Sequence, residues 1–314
     1  MNLIKLFSVF ILTITFAILA SPVITVAQVP LYTFPADDGT KSYYVTGENG
    51  VNIFVDEKGD PTKTTIIFSS GFLTSRMSWN PQWFDPEFEK FHLIRYDYRG
   101  IGKSDKPKDV NSYSQDLFAS DIYALINKLI NTEYDIKNKK IVLVGWSIGV
   151  PLSLNFIKNY PNIKIDGFVS IGGAANNTSK LDPSLIPAFQ NLVDPQDNFS
   201  KVVSGIDIFV RSLSFKPFSD ELHSFLMGNS VTASFEYRKS GSIPFNVGEF
   251  YSTLTILSLH IIAENDVFGM ENGLYFSSLG QNVETIIYKE SGHCILWEKA
   301  KELNKDVVKF ISKI

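Results

Sequence analysis

Residues 145–149 read Gly-Trp-Ser-Ile-Gly, and Ser147 at their centre is the best candidate nucleophile in the chain. An apolar run over 140–145 predicts a buried strand before it, and 148–159 predict a helix after it. A serine hydroxyl is a weak nucleophile until a base removes its proton. A sharp strand-to-helix turn lifts the hydroxyl clear of the sheet and aims the Ile148 N–H at an oxyanion formed beside it. The pattern therefore favours nucleophilic catalysis over a plain tight turn.

The base for such a serine should be a histidine, and the chain has four. His92 and His260 lie within apolar strand segments, which is typical of core residues. His223 lies in an aromatic-rich segment. His293 follows the last predicted strand and precedes the last predicted helix, from where it can reach across the carboxyl edge of a sheet. We therefore expect His293 to be the catalytic base.

An acid should orient the histidine and stabilise it once it is charged. The segment Ala-Glu-Asn-Asp over 263–266 supplies two carboxylates at a strand end between the other two members. Asp266, further into the loop, is the better candidate, and Glu264 is the fallback. The resulting chain order is Ser147, Asp266, His293.

A second oxyanion donor should come from the loop after an early strand. The stretch FSSGFLTSRMSW over 68–79 qualifies, with the Phe72 N–H as the first choice and the Leu73 N–H as the second. Gly71 allows close backbone approach there. The alternative is an ordinary strand-to-helix connection. Leu73 and Trp146 are also expected to contact the substrate.

Predicted strands alternate with predicted helices over 40–173 and 253–314, and several strands are continuous apolar runs. This alternation favours one α/β core whose mainly parallel sheet is covered on both faces. The stretch NGVNIFVDEKGD over 49–60 predicts an early hairpin. Residues 174–252 carry little strand signal and many aromatic residues. They predict a mostly helical cap inserted between two sheet strands.

Composition narrows the classes of partner. The formal net charge is -4 with no long basic run, which disfavours a nucleic-acid partner. Four histidines and one cysteine, without clusters at metal-ligand spacing, predict no metal site and no internal disulfide. No cofactor is expected. Nothing in the sequence indicates an oligomeric state.

Residues 1–27 resemble a targeting segment. Lys5 is followed by an apolar run over 6–20 and then by Ser21 and Pro22. This order is typical of a secretory signal peptide, with cleavage after Ala20 or Ala27. The alternative is an uncleaved membrane anchor, which Pro22 disfavours. A secreted or extracytoplasmic protein is therefore expected, with a membrane-tethered one as the alternative.

Taken together, these motifs resemble the α/β-hydrolase superfamily, in its branch of cap-bearing serine hydrolases. The resemblance spans 51–310 and includes the turn DYRGIGKSDKP over 97–107. It implies a mostly parallel central sheet flanked by helices, and a mainly structural role for Asp97 and Arg99. Two positions depart from the family pattern, since Ser70 and Ile101 stand where histidine is usual. A serine at the elbow argues against the haloalkane dehalogenase and epoxide hydrolase members.

The expected activity is cleavage of a small or medium apolar carboxylic ester through an acyl-enzyme. The resemblance leaves open other chemistry on the same triad: carbon–carbon bond hydrolysis, prolyl aminopeptidase activity or a haloperoxidase-like activity. A different class, a non-catalytic ligand-binding module of the same fold, is also compatible with the sequence.

Cleavage of the predicted signal peptide can be tested by expressing the full chain with a carboxyl-terminal tag in a bacterial host that secretes proteins. We expect a product that begins at Ser21 or Gln28, read by N-terminal sequencing and intact mass, because the segment has the order of a cleaved signal. Leu12→Arg, which interrupts the apolar run, should abolish cleavage. An intact product in the membrane fraction would contradict cleavage and support the anchor.

Overall fold

The computed structural model describes residues 38–131, 139–176, 182–241 and 244–314. Its centre is one eight-stranded sheet. The strands are β1 (Lys41–Thr46), β2 (Asn52–Lys58), β3 (Thr65–Ser69), β4 (His92–Tyr96), β5 (Ile141–Trp146), β6 (Gly167–Ile171), β7 (Leu257–Ala263) and β8 (Val283–Tyr288). They lie in the order β1-β2-β4-β3-β5-β6-β7-β8.

The sheet is parallel from β4 to β8 and antiparallel only where β1 pairs with β2 and β2 with β4. Every residue of β3, β4, β5 and β6 is buried. Continuous apolar strands of this kind need cover on both faces, which helices provide. The predicted architecture of a mostly parallel sheet flanked by helices is confirmed.

The helices follow the strands along the chain. They are α1 (Asn80–Trp83), α2 (Gln115–Ile130), α3 (Gly149–Asn159), α4 (Ile186–Leu192), α5 (Phe199–Ser212), α6 (Asp220–Ser230), α7 (Phe235–Ser240), α8 (Gly248–Ser252), α9 (Met270–Leu279), α10 (Ile295–Glu298) and α11 (Ala300–Ile311). Helix α2 begins where the Ser114 side chain accepts from the Leu117 N–H, which satisfies one of the unpaired N–H groups of the first turn. Its apolar face is buried, as its spacing predicts.

The early hairpin differs from its prediction. The stretch over 49–60 contributes one strand, β2, and its antiparallel partner is β1, upstream, with Tyr43 opposite Val55. Strand β1 lies at the edge of the sheet, and only Val45 of its six residues is buried. An edge strand needs little apolar sequence, so its pattern is weak.

Between β6 and β7 the described chain forms the five helices α4–α8, hereafter the cap. The only pairing of β type in this described part is an isolated bridge between Asn176 and Asn246. A mostly helical segment at this place in the fold agrees with the sequence. The boundaries of 174–252 as a separate unit stay a prediction.

The leader predicted for 1–27 lies outside the described residues. Within the ranges that are described, no helix has both the length and the apolar content that crossing a membrane requires.

Two histidines are enclosed in the core, where the sequence locates them. The His92 ring contacts the Thr65 hydroxyl and the Glu57 carboxylate, each at 3.0 Å. The Nε2 atom of His260 lies 2.8 Å from the Tyr251 hydroxyl. Burial lowers the pKa of His260 to about 3, because a charged imidazole would lose its hydration there.

This depressed pKa makes stability depend on pH. An unfolded histidine binds a proton near pH 6.5, whereas folded His260 does not until about pH 3. The free energy of unfolding should therefore fall as the pH drops below about 6.5, by about 1.4 kcal/mol per pH unit from this group. The free energy of unfolding can be measured with urea at about pH 7 and about pH 5. Between these pH values it should fall by roughly 2 kcal/mol less in His260→Gln than in the unmodified protein. Equal losses would contradict a neutral buried His260.

Candidate active site

The turn between β5 and α3 holds Ser147 in a left-handed backbone conformation, with φ of 54°. A non-glycine residue there is strained, and such strain often occurs at functional sites. The Ser147 N–H donates to the Ile171 carbonyl at 2.9 Å, which fixes the turn against β6. A Cβ on Gly149 would lie 2.3 Å from the Ser69 oxygen, and a Cβ on Gly145 would lie 2.8 Å from the Gly149 backbone. Both flanking glycines are therefore required by close backbone packing.

His293 and Asp266 form a buried pair. The Nδ1 atom of His293 lies 3.0 and 2.9 Å from the two oxygens of Asp266. Their side chains are only 3% and 6% exposed. An ionised carboxylate accepts only, so Nδ1 carries the proton and Nε2 is left as the acceptor. Among the described residues that buried Nε2 has no hydrogen-bond partner, and such an atom calls for a functional explanation.

The ends of β5, β6 and β7 bring these groups together with the serine turn. The Trp146 indole donates to the His293 carbonyl at 2.9 Å. Gly172, just after β6, has φ of 56°, and a Cβ on it would lie 3.2 Å from the His293 ring and 3.4 Å from Asp266. No hydrogen bond joins Ser147 and His293 within the described chain. Such bonds are often long without substrate and shorten when it binds.

The fallback acid, Glu264, faces elsewhere. Its carboxylate accepts from the Glu290 N–H at 3.2 Å, and the residue is exposed. The contact with the histidine therefore belongs to Asp266. Asp266 is itself held by the Phe268 N–H, which donates to it at 2.8 Å.

Residues 70–76 after β3, hereafter the oxyanion loop after the role that the sequence predicts for it, approach the serine turn from the other side. A Cβ on Gly71 would lie 2.9 Å from the Trp146 ring, so this approach requires glycine. Within the described residues no acceptor is found for the Phe72 or the Ile148 N–H. The Leu73 main chain interacts with the Tyr237 hydroxyl, which opposes the rise that burial causes in the pKa of that tyrosine. The choice of Phe72 over Leu73 as the second donor stays a prediction.

Leu73 and Trp146 are enclosed by protein. Leu73 has no exposed surface and Trp146 only 1%. The Trp146 side chain lies beneath the oxyanion loop and holds the main chain at His293. For both residues, contact with the substrate stays a prediction.

Arg76 fixes the far end of the oxyanion loop, and sequence reasoning missed it. Its main-chain N–H and its guanidinium both donate to Asp97 at 2.8 Å, and its Nε donates to Asp56 at 2.7 Å. Arg95 shares Asp56 at 3.1 Å. Buried charges are tolerated when paired in this way. No local motif marks Arg76, because its partners come from β2 and from the turn after β4.

The cap covers the oxyanion loop with aromatic rings. The Phe72 ring lies 6.2 Å from Phe189, 6.1 Å from Phe209 and 5.7 Å from Tyr237, measured between centroids. These contacts exclude water from one side of the loop. Excluding water strengthens any hydrogen bond that the loop donates.

No metal centre competes with this arrangement in the described part of the chain. There, no three side chains of histidine, cysteine, aspartate or glutamate are grouped so that they could hold an ion. Cys294, beside the histidine, is fully buried, and burial raises the pKa of its thiol well above the usual value. It therefore remains a thiol and is a poor nucleophile.

Comparison with known proteins points to one family. Residues 64–300 match the model of the family described as the alpha/beta hydrolase fold. The Escherichia coli protein named 2-hydroxy-6-oxononadienedioate/2-hydroxy-6-oxononatrienedioate hydrolase is 28% identical over 239 residues, which cover 73% of this chain and 80% of that protein. EphD of Mycobacterium tuberculosis is 35% identical over 88 residues, which cover 28% of this chain and 15% of EphD.

Solved structures agree with this match. A candidate aryl esterase from Burkholderia cenocepacia has a TM-score of 0.77 and 27% identity, with 87% of this chain and 98% of that chain covered. An esterase from a Rhodococcus species has a TM-score of 0.76 and 19% identity, with 86% and 98% covered. At 19% identity the Rhodococcus esterase supports a comparison of the fold only.

The Asp266–His293 pair can be tested with Asp266→Asn. An amide can donate to Nδ1, which would leave the proton on Nε2 and remove the base. We expect a fluorophosphonate to label Ser147 at least roughly 10³-fold more slowly in this variant. Glu264→Gln is the matched control and should label like the unmodified protein. Near-normal labelling of Asp266→Asn, with far-UV circular dichroism unchanged, would contradict the assignment.

Proposed function

Because the chain belongs to the alpha/beta hydrolase fold family, we propose that it is a serine hydrolase that cleaves a small or medium carboxylic ester. The observation that carries this proposal is the buried His293 imidazole, with Nδ1 on Asp266 and Nε2 unpartnered among the described residues. A base with a fixed tautomer and a free acceptor nitrogen, next to the Ser147 turn, has the features that acyl transfer requires.

In the proposed reaction His293 Nε2 takes the proton of Ser147 as Oγ attacks the ester carbonyl. The Phe72 and Ile148 N–H groups donate to the oxyanion as its charge develops. His293 then gives the proton to the leaving alcohol, and an acyl-serine remains. Water, deprotonated by the same nitrogen, attacks the acyl carbonyl, the bond to Ser147 Oγ breaks, and His293 returns the proton to Oγ as the acid leaves. Asp266 accepts from Nδ1 and stabilises the imidazolium.

The cap favours an apolar ester. The rings around Phe72 are apolar, and they pack beside one of the two proposed oxyanion donors. An acyl or alcohol group without charge would lose little hydration on entering such a site.

A carbon–carbon bond hydrolase is the second candidate. The Escherichia coli relative is named as a hydrolase of this kind, and the match covers 80% of its length. A dicarboxylate of the type in that name would need cations to pair with it. Arg238 of α7 already donates to the carbonyls of Leu192 and Ala233 and pairs with Asp197. Arg76 is likewise paired. These two arginines are therefore not available to pair with a dicarboxylate.

The proposal is tested with the chain from about Val29 and a series of short and medium p-nitrophenyl esters. We expect the unmodified protein to hydrolyse these esters and to be labelled by a fluorophosphonate at Ser147. Both activities should be lost in Ser147→Ala and should fall roughly 10³-fold or more in His293→Ala. The exposed Ser278→Ala is the matched control and should behave like the unmodified protein.

A folded protein without labelling or turnover would refute the serine hydrolase and favour the non-catalytic module. Labelling without ester turnover, together with hydrolysis of a 2-hydroxy-6-oxo-dienedioate, would favour the second candidate.

A further inference from the structure

Glu298, at the end of α10, joins the cap to the segment that carries His293. One oxygen of its carboxylate accepts from the Phe215 N–H at 2.8 Å and from the Lys216 N–H at 3.4 Å. The other accepts from the Gly292 N–H at 2.7 Å. Phe215 and Lys216 lie in the connection between α5 and α6, within the cap. One carboxylate therefore spans two segments that are far apart in the chain.

Direct backbone contact reinforces this junction on the other side of the histidine. The Cys294 N–H donates to the Leu213 carbonyl at 2.7 Å. A Cβ on Gly292 would lie 2.6 Å from the Phe215 nitrogen and 2.7 Å from the Leu213 oxygen. After His293, Cys294 is thus bonded directly to the cap, and before it, Gly292 packs closely against the same stretch and reaches it through Glu298.

We propose that Glu298 is a positioning residue, which holds the main chain at His293 in its working place by fastening it to the cap. The proposal rests on the proposed function, since it concerns the base of that reaction. Asp266 fixes the rotation of the imidazole, and Trp146 holds the His293 carbonyl. Glu298 adds the third constraint, on the residue before the histidine.

The energetics favour a specific role over simple surface pairing. Glu298 is mostly enclosed, and burial raises the pKa of its carboxyl, while the bonds from Gly292, Phe215 and Lys216 oppose that rise. Hydrogen bonds to an ionised acceptor are roughly twice as strong as neutral ones. A half-buried carboxylate that accepts from main-chain donors of both segments therefore favours a fixed separation between them.

The arrangement makes the base depend on the position of the cap. The cap packs on Phe72, and its connection between α5 and α6 is bonded to Cys294 and Glu298 in the segment that carries His293. A shift of the cap would move an oxyanion donor and the base together. Small displacements of this kind cost far more in rate than in stability, because the reacting atoms must meet within a narrow range of distances.

Glu298→Gln tests the proposal at constant side-chain size. A glutamine oxygen can accept from one segment, but its NH₂ group then faces the N–H donors of the other. We expect kcat for a p-nitrophenyl ester, and the rate of fluorophosphonate labelling per folded molecule, to fall roughly 10- to 100-fold, with KM within about threefold. A purely structural role would lower Tm and leave both rates per folded molecule unchanged.

Lys216→Ala is the matched control. It keeps the main-chain N–H that Glu298 accepts and removes only a 59% exposed side chain, whose ammonium lies 4.0 Å from Glu290. Its kcat and labelling rate should equal those of the unmodified protein. The proposal would be overturned if folded Glu298→Gln kept the kcat and labelling rate of the unmodified protein. It would also be overturned if both rates fell as far in Lys216→Ala as in Glu298→Gln.

Hydrogen exchange on the unmodified protein decides the matter if Glu298→Gln does not fold. The amides of Gly292 and Phe215 lie outside helices and strands, yet they should exchange slowly and with similar protection. Fast exchange at either amide would overturn the proposal. This measurement needs no activity, so it tests the junction separately from the hydrolase assignment. Failure of the hydrolase assignment would instead appear as an unmodified protein that fluorophosphonate does not label.

Discussion

The candidate site depends on one close contact, between the start of α3 and the end of β3. A Cβ on Gly149 would lie 2.3 Å from the Ser69 oxygen and 2.8 Å from the Ser70 oxygen. Only glycine allows two backbones to approach so closely. The contact holds Ser147 in its left-handed conformation beside the first residues of the oxyanion loop. Ser147 and the Phe72 N–H are therefore positioned by main chain, which has less freedom than any pair of side chains.

Buried charges complete this framework around the site. Arg99 donates to both oxygens of Asp121 at 2.7 and 2.6 Å, and the pair is fully enclosed. Burial raises the pKa of Asp121 to about 6, although the Arg99 guanidinium opposes the rise. Arg76 similarly binds Asp97 in the turn after β4. Because removing one partner would leave an uncompensated buried charge, these pairs hold the loops in one arrangement.

The cap links this rigid framework to the chemistry that we propose. Its aromatic rings pack on Phe72, and its connection between α5 and α6 is bonded to Glu298 and Cys294. In the proposed reaction the cap therefore does more than cover a substrate, because the proposed base, His293, and one proposed oxyanion donor, Phe72, both lie against it. In a family whose members share one sheet and differ in their caps, such contacts would let the cap influence rate as well as specificity.

The sequence by itself determined the features that rest on local pattern. The glycine spacing around Ser147, the apolar run of β5 and the helical period of α2 are all local, and all are present in the fold. His293 and Asp266 were also predicted from the sequence as a pair, and the structure brings them into contact. Both residues follow strands whose apolar pattern is clear in the sequence, and the carboxyl ends of parallel strands meet at one edge of the sheet.

Only the tertiary structure decided which groups become partners across the fold. The edge strand β1 was missed, because an exposed strand needs little apolar sequence. Arg76 and Glu298 carry no motif; Arg76 binds Asp56, 20 residues away along the chain, and Glu298 binds Phe215, 83 residues away. The packing of Tyr237 on Phe72 arises only because the cap brings that tyrosine to the loop. Burial and hydrogen-bond partners of this kind are set by non-local packing, and no pattern of a few neighbouring residues encodes them.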